Sequence, residues 1–473
     1  MKILFVSDNF PPEVNAPATR TYEHCLEWVK RGASVTVITC FPNFPNGRIF
    51  PGYRHRLYQK EMVDGIEVIR VCTYMAPNRG VFRRTLDYIS FGISSFIAGL
   101  FQKTDLIVAT SPQFFSAVSG YFLSIFKRKP WVFELRDLWP DSIHSVGAVK
   151  PSFGLNMLEK LELFLYRKAT MVVPNTHAFK RNLVKRGIDA DKIRVITNGS
   201  NLNHFAPQPK NPELMKELGI NGEFVIGYVG TMGMAHRLDF IINAIPKLER
   251  SAFRFLFIGD GASKQDVQEL SLELNLNNVT FLDSVPKDRV PDYLSVIDAA
   301  LIPLRKSETF KAVIPSKIFE SAAMEKPILL GVDGEAKRLV TSYDAGMCFE
   351  PENESDFLKK IEQLRNDRAR YEEFKRGCGR LASDFDRTKL AGEMLDLLHE
   401  AAGVDVPASA PSEWQPLRTV PFATYAPSDG GSNGRSNGNN GNGRPNGRNR
   451  GNGRSNYRPK RRGSRSRTTA AGG

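Results

Sequence analysis

Residues able to do chemistry concentrate in three stretches of the chain. The first runs Ala300-Leu-Ile-Pro-Leu-Arg305-Lys306 and resumes at Ile314-Pro-Ser316-Lys317-Ile-Phe-Glu320. A strand ending at Pro303 would pass into a basic loop carrying Arg305. Ser316 is placed to cap a new helix, with Lys317 and Glu320 one turn apart on a single face. A helix start beside a lysine suits a diphosphate, because free N–H groups, the helix dipole and the ammonium all favour anions. A glutamate one turn further on can accept hydrogen bonds from two ribose hydroxyls. The same pattern also fits a capped surface helix with an i,i+3 ion pair, and these residues alone leave both readings open.

The second stretch is Glu134-Leu-Arg136-Asp137-Leu-Trp-Pro-Asp141, just beyond the apolar run Trp131–Leu135. Acids and an arginine leaving a buried strand are costly unless paired or used. Glu134, Arg136 and Asp137 are therefore catalytic candidates, with a structural Arg136–Asp137 network the equal alternative. The third stretch, Ser7-Asp8-Asn9-Phe-Pro-Pro-Glu13-Val-Asn15-Ala-Pro17, leads into a helix carrying Thr19 and Arg20; Asn15 and Arg20 are candidates for the acceptor side. Gly230-Thr-Met-Gly233 and Gly259-Asp-Gly261 read as glycine turns at strand ends. Neither completes a G-x-G-x-x-G before a helix. Asp189-Ala-Asp191 and Asp384-Phe-Asp386 sit where loops become helices and read as caps, so no metal site is expected.

The elements that must position these residues follow from hydrophobic periodicity. Candidate strands are Lys2–Val6, Ser34–Thr39, Glu67–Cys72, Asp105–Ala109, Trp131–Leu135, Met171–Val173 and Ile193–Ile196. A second series holds Phe224–Val229, Phe255–Ile258, Val279–Leu282, Ala299–Ile302 and Ile328–Leu330. Most are continuous apolar runs, as strands covered on both faces of a parallel sheet are. In the first helix Pro17 suits the first turn, Tyr22, Leu26 and Val29 share a face, and Arg31-Gly32 closes it. Two βα series predict two facing doubly wound α/β domains, over 1–202 and 203–380, with a helix over 381–402 packing back on the first. The site then lies in the cleft, beyond the carboxyl ends of the strands. Asn198-Gly199-Ser200-Asn201 reads as a turn at the junction.

Charge and composition set further bounds. The 473 residues carry a net charge of +14, but eleven Lys or Arg and no acid lie between Gly430 and Gly473. The basic character belongs to a Gly/Asn/Arg-rich tail, expected over 403–473 to be disordered, and not to the folded part. Nucleic acid is therefore not the expected partner of the folded domains. Five scattered cysteines show no ligand spacing and fit buried thiols in a reducing compartment. The polar residues Ser7-Asp8-Asn9 interrupt the first apolar run, so no leader is expected there. Tyr88–Phe101 is apolar, follows Arg83-Arg84 and is too short to span a bilayer. It reads either as a buried or lid helix, or as an interfacial surface.

Taken in this order, the motifs resemble a family-4 glycosyltransferase of the two-domain B-type fold, and in particular the bacterial fucosaminyl (FucNAc) transferase branch of O-antigen and capsule assembly. The matching stretches are Phe10-Pro-Pro-Glu13 with Ala16-Pro-Ala-Thr-Arg20, Phe41-Pro-Asn-Phe-Pro-Asn-Gly47, Phe133-Glu-Leu-Arg-Asp-Leu-Trp-Pro-Asp141, Ile196-Thr-Asn-Gly199, Ile314-Pro-Ser-Lys-Ile-Phe-Glu320 and Gly346. The resemblance covers residues 1 to about 400 and implies Rossmann-like domains. It further implies retaining, metal-independent transfer from a nucleotide-diphospho sugar, expected to be UDP-linked and an N-acetylated amino sugar. Glu320 matches the second glutamate of the family's Glu-x7-Glu signature, while the first falls on Ala312. The family's Arg and Lys after the first strand of the second domain are replaced by Thr231-Met-Gly-Met-Ala-His236-Arg237, so Lys317, Arg305 or Arg237 would hold the diphosphate beside Gly230 and Ser316. The family's histidine falls on Arg136.

These readings converge on transfer to a lipid-linked or glycan acceptor in cell-surface polysaccharide assembly, by a cytoplasmic protein held at the inner membrane face through its basic tail. The alternatives are a sugar-nucleotide epimerase and a scaffold that binds RNA or anionic lipid through the tail.

Overall fold

Uninterrupted apolar runs become the middle strands of two sheets. The computed structural model describes residues 1–13, 15–44, 47–75, 81–111, 113–138 and 153–405. Trp139, Pro140 and Asp141 of the second motif, and the tail beyond Asp405, lie outside them. The first sheet contains β1 (Lys2–Val6), β2 (Ser34–Cys40), β3 (Tyr58–Val63), β4 (Ile66–Val71), β5 (Leu106–Thr110), β6 (Trp131–Leu135) and β7 (Met171–Pro174), ordered β3-β4-β2-β1-β5-β6-β7. Only β3 runs antiparallel, against β4. The second contains β8 (Phe224–Val229), β9 (Phe253–Ile258), β10 (Val279–Leu282), β11 (Ala299–Pro303), β12 (Ile328–Gly331) and β13 (Gly346–Cys348), all parallel and ordered β10-β9-β8-β11-β12-β13. Both sheets reverse winding direction beside their first strand, between β1 and β5 and between β8 and β11. Ligands bind at such switch points.

The helices of the first unit are α1 (Ala16–Lys30), α2 (Val81–Leu100), α3 (Phe114–Lys127), α4 (Phe153–Lys168) and α5 (His177–Lys185). Those of the second are α6 (Pro212–Glu217), α7 (Leu238–Ala244), α8 (Lys264–Glu273), α9 (Val290–Val296), α10 (Lys317–Ala323), α11 (Glu335–Ser342), α12 (Glu354–Asn366) and α13 (Arg368–Asp384). A last helix, α14 (Arg387–Ala402), crosses back. Its Leu390, Met394, Leu395 and Leu398 join the core built on Ile3 and Phe5, and the Trp28 indole N–H donates to Ala391 O at 2.8 Å. Gly403, at φ 65°, terminates α14 in a left-handed cap.

In α1, Tyr22, Leu26 and Val29 share a face as expected and pack half-buried against the core, beside the fully buried Thr21, His24, Cys25 and Trp28, because the helix is wedged between the sheet and α14. Two expectations are corrected. Ile193–Ile196 is extended but forms only an isolated bridge, Val172 to Ile193. Arg194 and Ile196 donate to Val172 O and Pro174 O, each at 3.1 Å. The next parallel bridge needs a return bond from residue 174, and Pro174 has no N–H to give. The strand β3 was not expected: Tyr58-Gln-Lys-Glu-Met-Val63 offers no apolar run and alternates exposed with half-buried positions at the sheet edge.

Candidate functional site

The second sheet contributes its switch point between β8 and β11. Gly230 ends β8 at φ +131°, and a Cβ there would lie 2.6 Å from Lys317 Cε. A Cβ on Gly259 would lie 2.0 Å from Gly230 O, so the two glycine turns close on each other and leave Lys317 beneath them. The Lys317 ammonium donates to the Tyr228 hydroxyl at 2.9 Å and sits 4.2 Å from that ring's centre. Burial lowers its pKa to about 8, with Glu320 pulling the other way. His236, pushed down to about 3 by burial and then by Lys317, is neutral and accepts from Gly233 N–H at 3.4 Å.

Glu320 lies half-buried one turn along α10. Burial raises its pKa against the opposing fields of Arg387, Lys287 and Lys317. No ion pair forms with Lys317, and among the described residues the Glu320 carboxylate has no hydrogen-bond or ion-pair partner. Ser316 departs from expectation: it sits at the cap position, but its side chain makes no capping bond. The first N–H groups fold back instead, Ile318 onto Pro315 O at 3.1 Å and Phe319 onto Ser316 O at 3.0 Å. Positive charge at this helix start therefore comes from Lys317 more than from the two-turn helix. Arg305 is exposed, with its backbone N–H on Ala235 O at 2.8 Å. Arg237 is already neutralised, by Asp239 at 3.0 Å and Glu352 at 2.9 Å, from a left-handed φ of 45°. It is not the free cation its place in the sequence suggested.

The first sheet contributes the carboxyl ends of β1, β5 and β6. Asn15 caps α1, accepting from Ala18 N–H at 2.9 Å and donating to Asn9 Oδ1 at 2.6 Å. Glu13 is buried and accepts from Asn43 and Phe44 N–H at 2.8 and 2.9 Å, which pins the loop after β2 to the loop after β1. Arg20 and Glu134, expected to face substrate, are corrected. Both are buried and form one ion pair at 2.9 Å. Arg20 also donates to Thr197 O at 2.9 Å and Asn198 Oδ1 at 2.7 Å, tying α1 to the junction. Burial raises the Glu134 pKa, but Arg20 and Arg136 outweigh it and hold the carboxyl below its usual range.

Arg136 and Asp137 lie one and two residues past β6. Ser111 Oγ accepts from both of their N–H groups, at 2.8 and 3.4 Å, and Asn175 Nδ2 donates to Arg136 O at 3.1 Å. The Arg136 side chain is buried, with its Nη1 unpartnered. Burial, then Arg20, lowers its pKa to about 10, so it stays charged at neutral pH. Burial raises Asp137 to about 6 against the pull of Arg136. A charged guanidinium with an open donor next to a carboxylate of tuned pKa can hold an anionic group and orient a hydroxyl.

Ion pairs join the two sides. Glu23 on α1 meets Lys287 at 2.9 Å and also Arg387. Glu335 on α11 pairs with Arg181 on α5 and with Arg338 at 2.5 Å. Sequence patterns did not mark Tyr228, Ser111, Glu23 or Glu335. Tyr228 sits inside an apolar strand and Ser111 at a strand end, and neither position carries a local signal of its role. The two D-x-D motifs act as caps. Asp189 accepts from Asp191 N–H at 3.0 Å and Asp386 from Thr388 N–H at 3.2 Å, while Asp384 accepts from the Tyr343 hydroxyl at 2.7 Å.

Comparison with known proteins places both halves. Residues 15–199 match the glycosyl transferase 4-like domain, and residues 210–378 match glycosyl transferases group 1. The colanic acid biosynthesis glycosyl transferase WcaI of Escherichia coli is 24% identical over 378 residues, covering 77% of this chain and 92% of that protein. The N-acetylgalactosamine-N,N'-diacetylbacillosaminyl-diphospho-undecaprenol 4-alpha-N-acetylgalactosaminyltransferase of Campylobacter jejuni is 21% identical, over 54% of this chain and 67% of its own. Among solved structures, Anabaena HepE in complex with UDP and glucose superposes with a TM-score of 0.63 at 18% identity, covering 85% of this chain and all of that one (100%).

Proposed function

Because the chain belongs to the glycosyltransferases of the two-domain B-type fold, we propose that it moves a sugar from a UDP-linked donor, with retained anomeric configuration, to a lipid-linked or glycan acceptor during polysaccharide assembly. The observation that carries this reading is the unpartnered Glu320 carboxylate one turn from Lys317, beneath the Gly230 turn at the switch point. In this assignment Lys317, with Arg305 on the rim, holds the diphosphate, Gly230 admits it closely, and Glu320 accepts from the ribose hydroxyls. Positive charge aimed at the leaving diphosphate stabilises the charge that develops as the glycosidic bond breaks, so no protein nucleophile is required. Arg136 and Asp137 hold the transferred sugar and the acceptor hydroxyl on the facing side. We take the donor sugar to be N-acetylated and amino-substituted. HepE was solved with UDP, and the Campylobacter relative is named for an undecaprenol-linked substrate. We place the protein in the cytoplasm, with its basic tail drawn to anionic lipid.

The test is a transfer assay in which donor is incubated with and without acceptor. Glycoside formation only with acceptor supports transfer; donor altered without acceptor identifies an epimerase. We expect Glu320→Ala to weaken UDP binding by about 1.5–3 kcal/mol, roughly 10- to 150-fold, with thermal unfolding unchanged. Unchanged UDP affinity in that variant rejects the ribose assignment. Because Asp189 and Asp386 are engaged as caps and Asp384 by the Tyr343 hydroxyl, we propose that transfer proceeds without a metal. EDTA should leave the rate intact, and a rate lost to chelator and restored by magnesium or manganese would contradict this.

A further inference from the structure

The helix pair α2/α3 is apolar on two sides. Its inner side buries Phe91, Phe114 and Leu123 in the core, and glycines let the helices close: a Cβ on Gly92 would lie 3.0 Å from Phe115 Cβ, and one on Gly99 would lie 2.7 Å from Leu123 Cδ1. Ser95 and Ser119 share a buried hydroxyl contact at 3.0 Å between them. A second set of large apolar side chains points away from the protein. Ile93 and Ile97 on α2 are 57% and 52% exposed, and Phe101 just past its end is 80% exposed; on α3, Ile125 and Phe126 are 50% and 66% exposed. Phe96 packs edge-on against Phe126 at 5.4 Å, so the two helices present one continuous face. Monomeric surfaces rarely carry an apolar patch of this kind without a partner.

Charge identifies the partner. Lys103, Arg128 and Lys129 border the patch at the carboxyl ends of the two helices, Lys129 facing Asp105 at 3.9 Å, and Arg83 and Arg84 lie near the start of α2. Across Val81–Thr104 and Phe114–Pro130 the sequence contains one acidic residue, Asp87. An apolar face with a cationic border and almost no carboxylates matches the headgroup–acyl boundary of an anionic bilayer. A protein partner of opposite charge would leave the exposed isoleucines and phenylalanines unexplained.

We propose that the α2/α3 face is a membrane-docking surface: Ile93, Ile97, Phe101, Ile125 and Phe126 enter the interface of an anionic bilayer while the flanking lysines and arginines meet its headgroups. The amino-terminal half of α2, where Tyr74 N–H donates to Ser90 Oγ at 2.8 Å, adjoins the carboxyl end of β4. The purpose of docking rests on the proposed lipid-linked acceptor; the docking itself does not.

Co-sedimentation of the full chain with phosphatidylcholine vesicles containing phosphatidylglycerol tests it, without donor or acceptor, so failure here is distinct from failure of the transferase reading. Runs at low salt and at 0.5 M salt separate the tail's screened attraction from apolar insertion. The wild-type chain should still bind at high salt. Ile97→Asp with Phe126→Asp should reduce that binding at least about tenfold, and Ile97→Ser with Phe126→Ser should do so if the double aspartate variant does not fold. Leu272→Asp, 77% exposed on the second domain, should bind as wild type does. Equal binding by all variants, or no binding of the wild type at high salt, overturns the proposal. A concentration-dependent dimer that the same substitutions abolish, without vesicle binding, also overturns it and assigns the face to a second copy.

Discussion

Replacing Lys317 with methionine should lower kcat/KM for the sugar nucleotide by about a hundred- to a thousandfold, because an ammonium aimed at the diphosphate contributes roughly 2.7–4 kcal/mol to a site screened from water. Methionine fills the space under Gly230, and removing a buried ammonium should not lower stability. The pH dependence separates this role from simple packing. Burial holds the Lys317 pKa at about 8 in the free protein, and a bound diphosphate must raise it. UDP affinity should therefore be flat below about pH 8 and fall with rising pH above it, by up to about tenfold per unit until the pKa of the complex is passed. In Lys317→Met that slope should vanish. Calorimetric titration of both proteins between pH 7 and 10 checks both parts; an affinity equally flat in the wild type contradicts the assignment.

Breaking the Arg20–Glu134 pair should produce the largest loss of stability. Both side chains are buried, and their contact at 2.9 Å joins α1 to β6, while Arg20 also holds Thr197 and Asn198 of the junction. Glu134→Leu strands a buried guanidinium and should cost about 3–5 kcal/mol. The combined Arg20→Met and Glu134→Leu variant should recover part of that loss, because no uncompensated charge then remains. Chemical denaturation monitored by circular dichroism reads both. A double variant no more stable than Glu134→Leu would show that the other Arg20 contacts dominate.

How far the sequence revealed this molecule depended on whether a residue's role left a local pattern. Parallel strands leave apolar runs, so eleven of them were legible, from Lys2–Val6 to Ile328–Leu330. The edge strand β3 was not, because its exposed positions accept Gln59, Lys60 and Glu61. Lys317 and Glu320 were legible through their spacing, and the structure adds the Tyr228 contact that spacing cannot encode. Sequence could not tell which charges were already paired. Arg237 and Arg136 look alike in one dimension, yet the first is closed by Asp239 and Glu352 while the second keeps Nη1 unpartnered. Partners distant along the chain decide that difference. Tyr88–Phe101 carries both features its sequence suggested: Phe91, Ser95 and Ala98 are buried, while Ile93 and Ile97 are exposed.

Thermal unfolding of the full chain with UDP, ADP, GDP and CDP tests the central claim most directly. At a hundred times its dissociation constant a nucleotide that binds the native state adds about 2.7 kcal/mol of stability. The account predicts a clear upward shift with UDP, smaller shifts with the others, and with UDP at the same concentration in Glu320→Ala a stabilisation cut to between about a half and a tenth of the wild-type value. No shift with any nucleoside diphosphate, or an equal UDP shift in wild type and Glu320→Ala, would contradict a nucleotide-sugar site at Lys317 and Glu320.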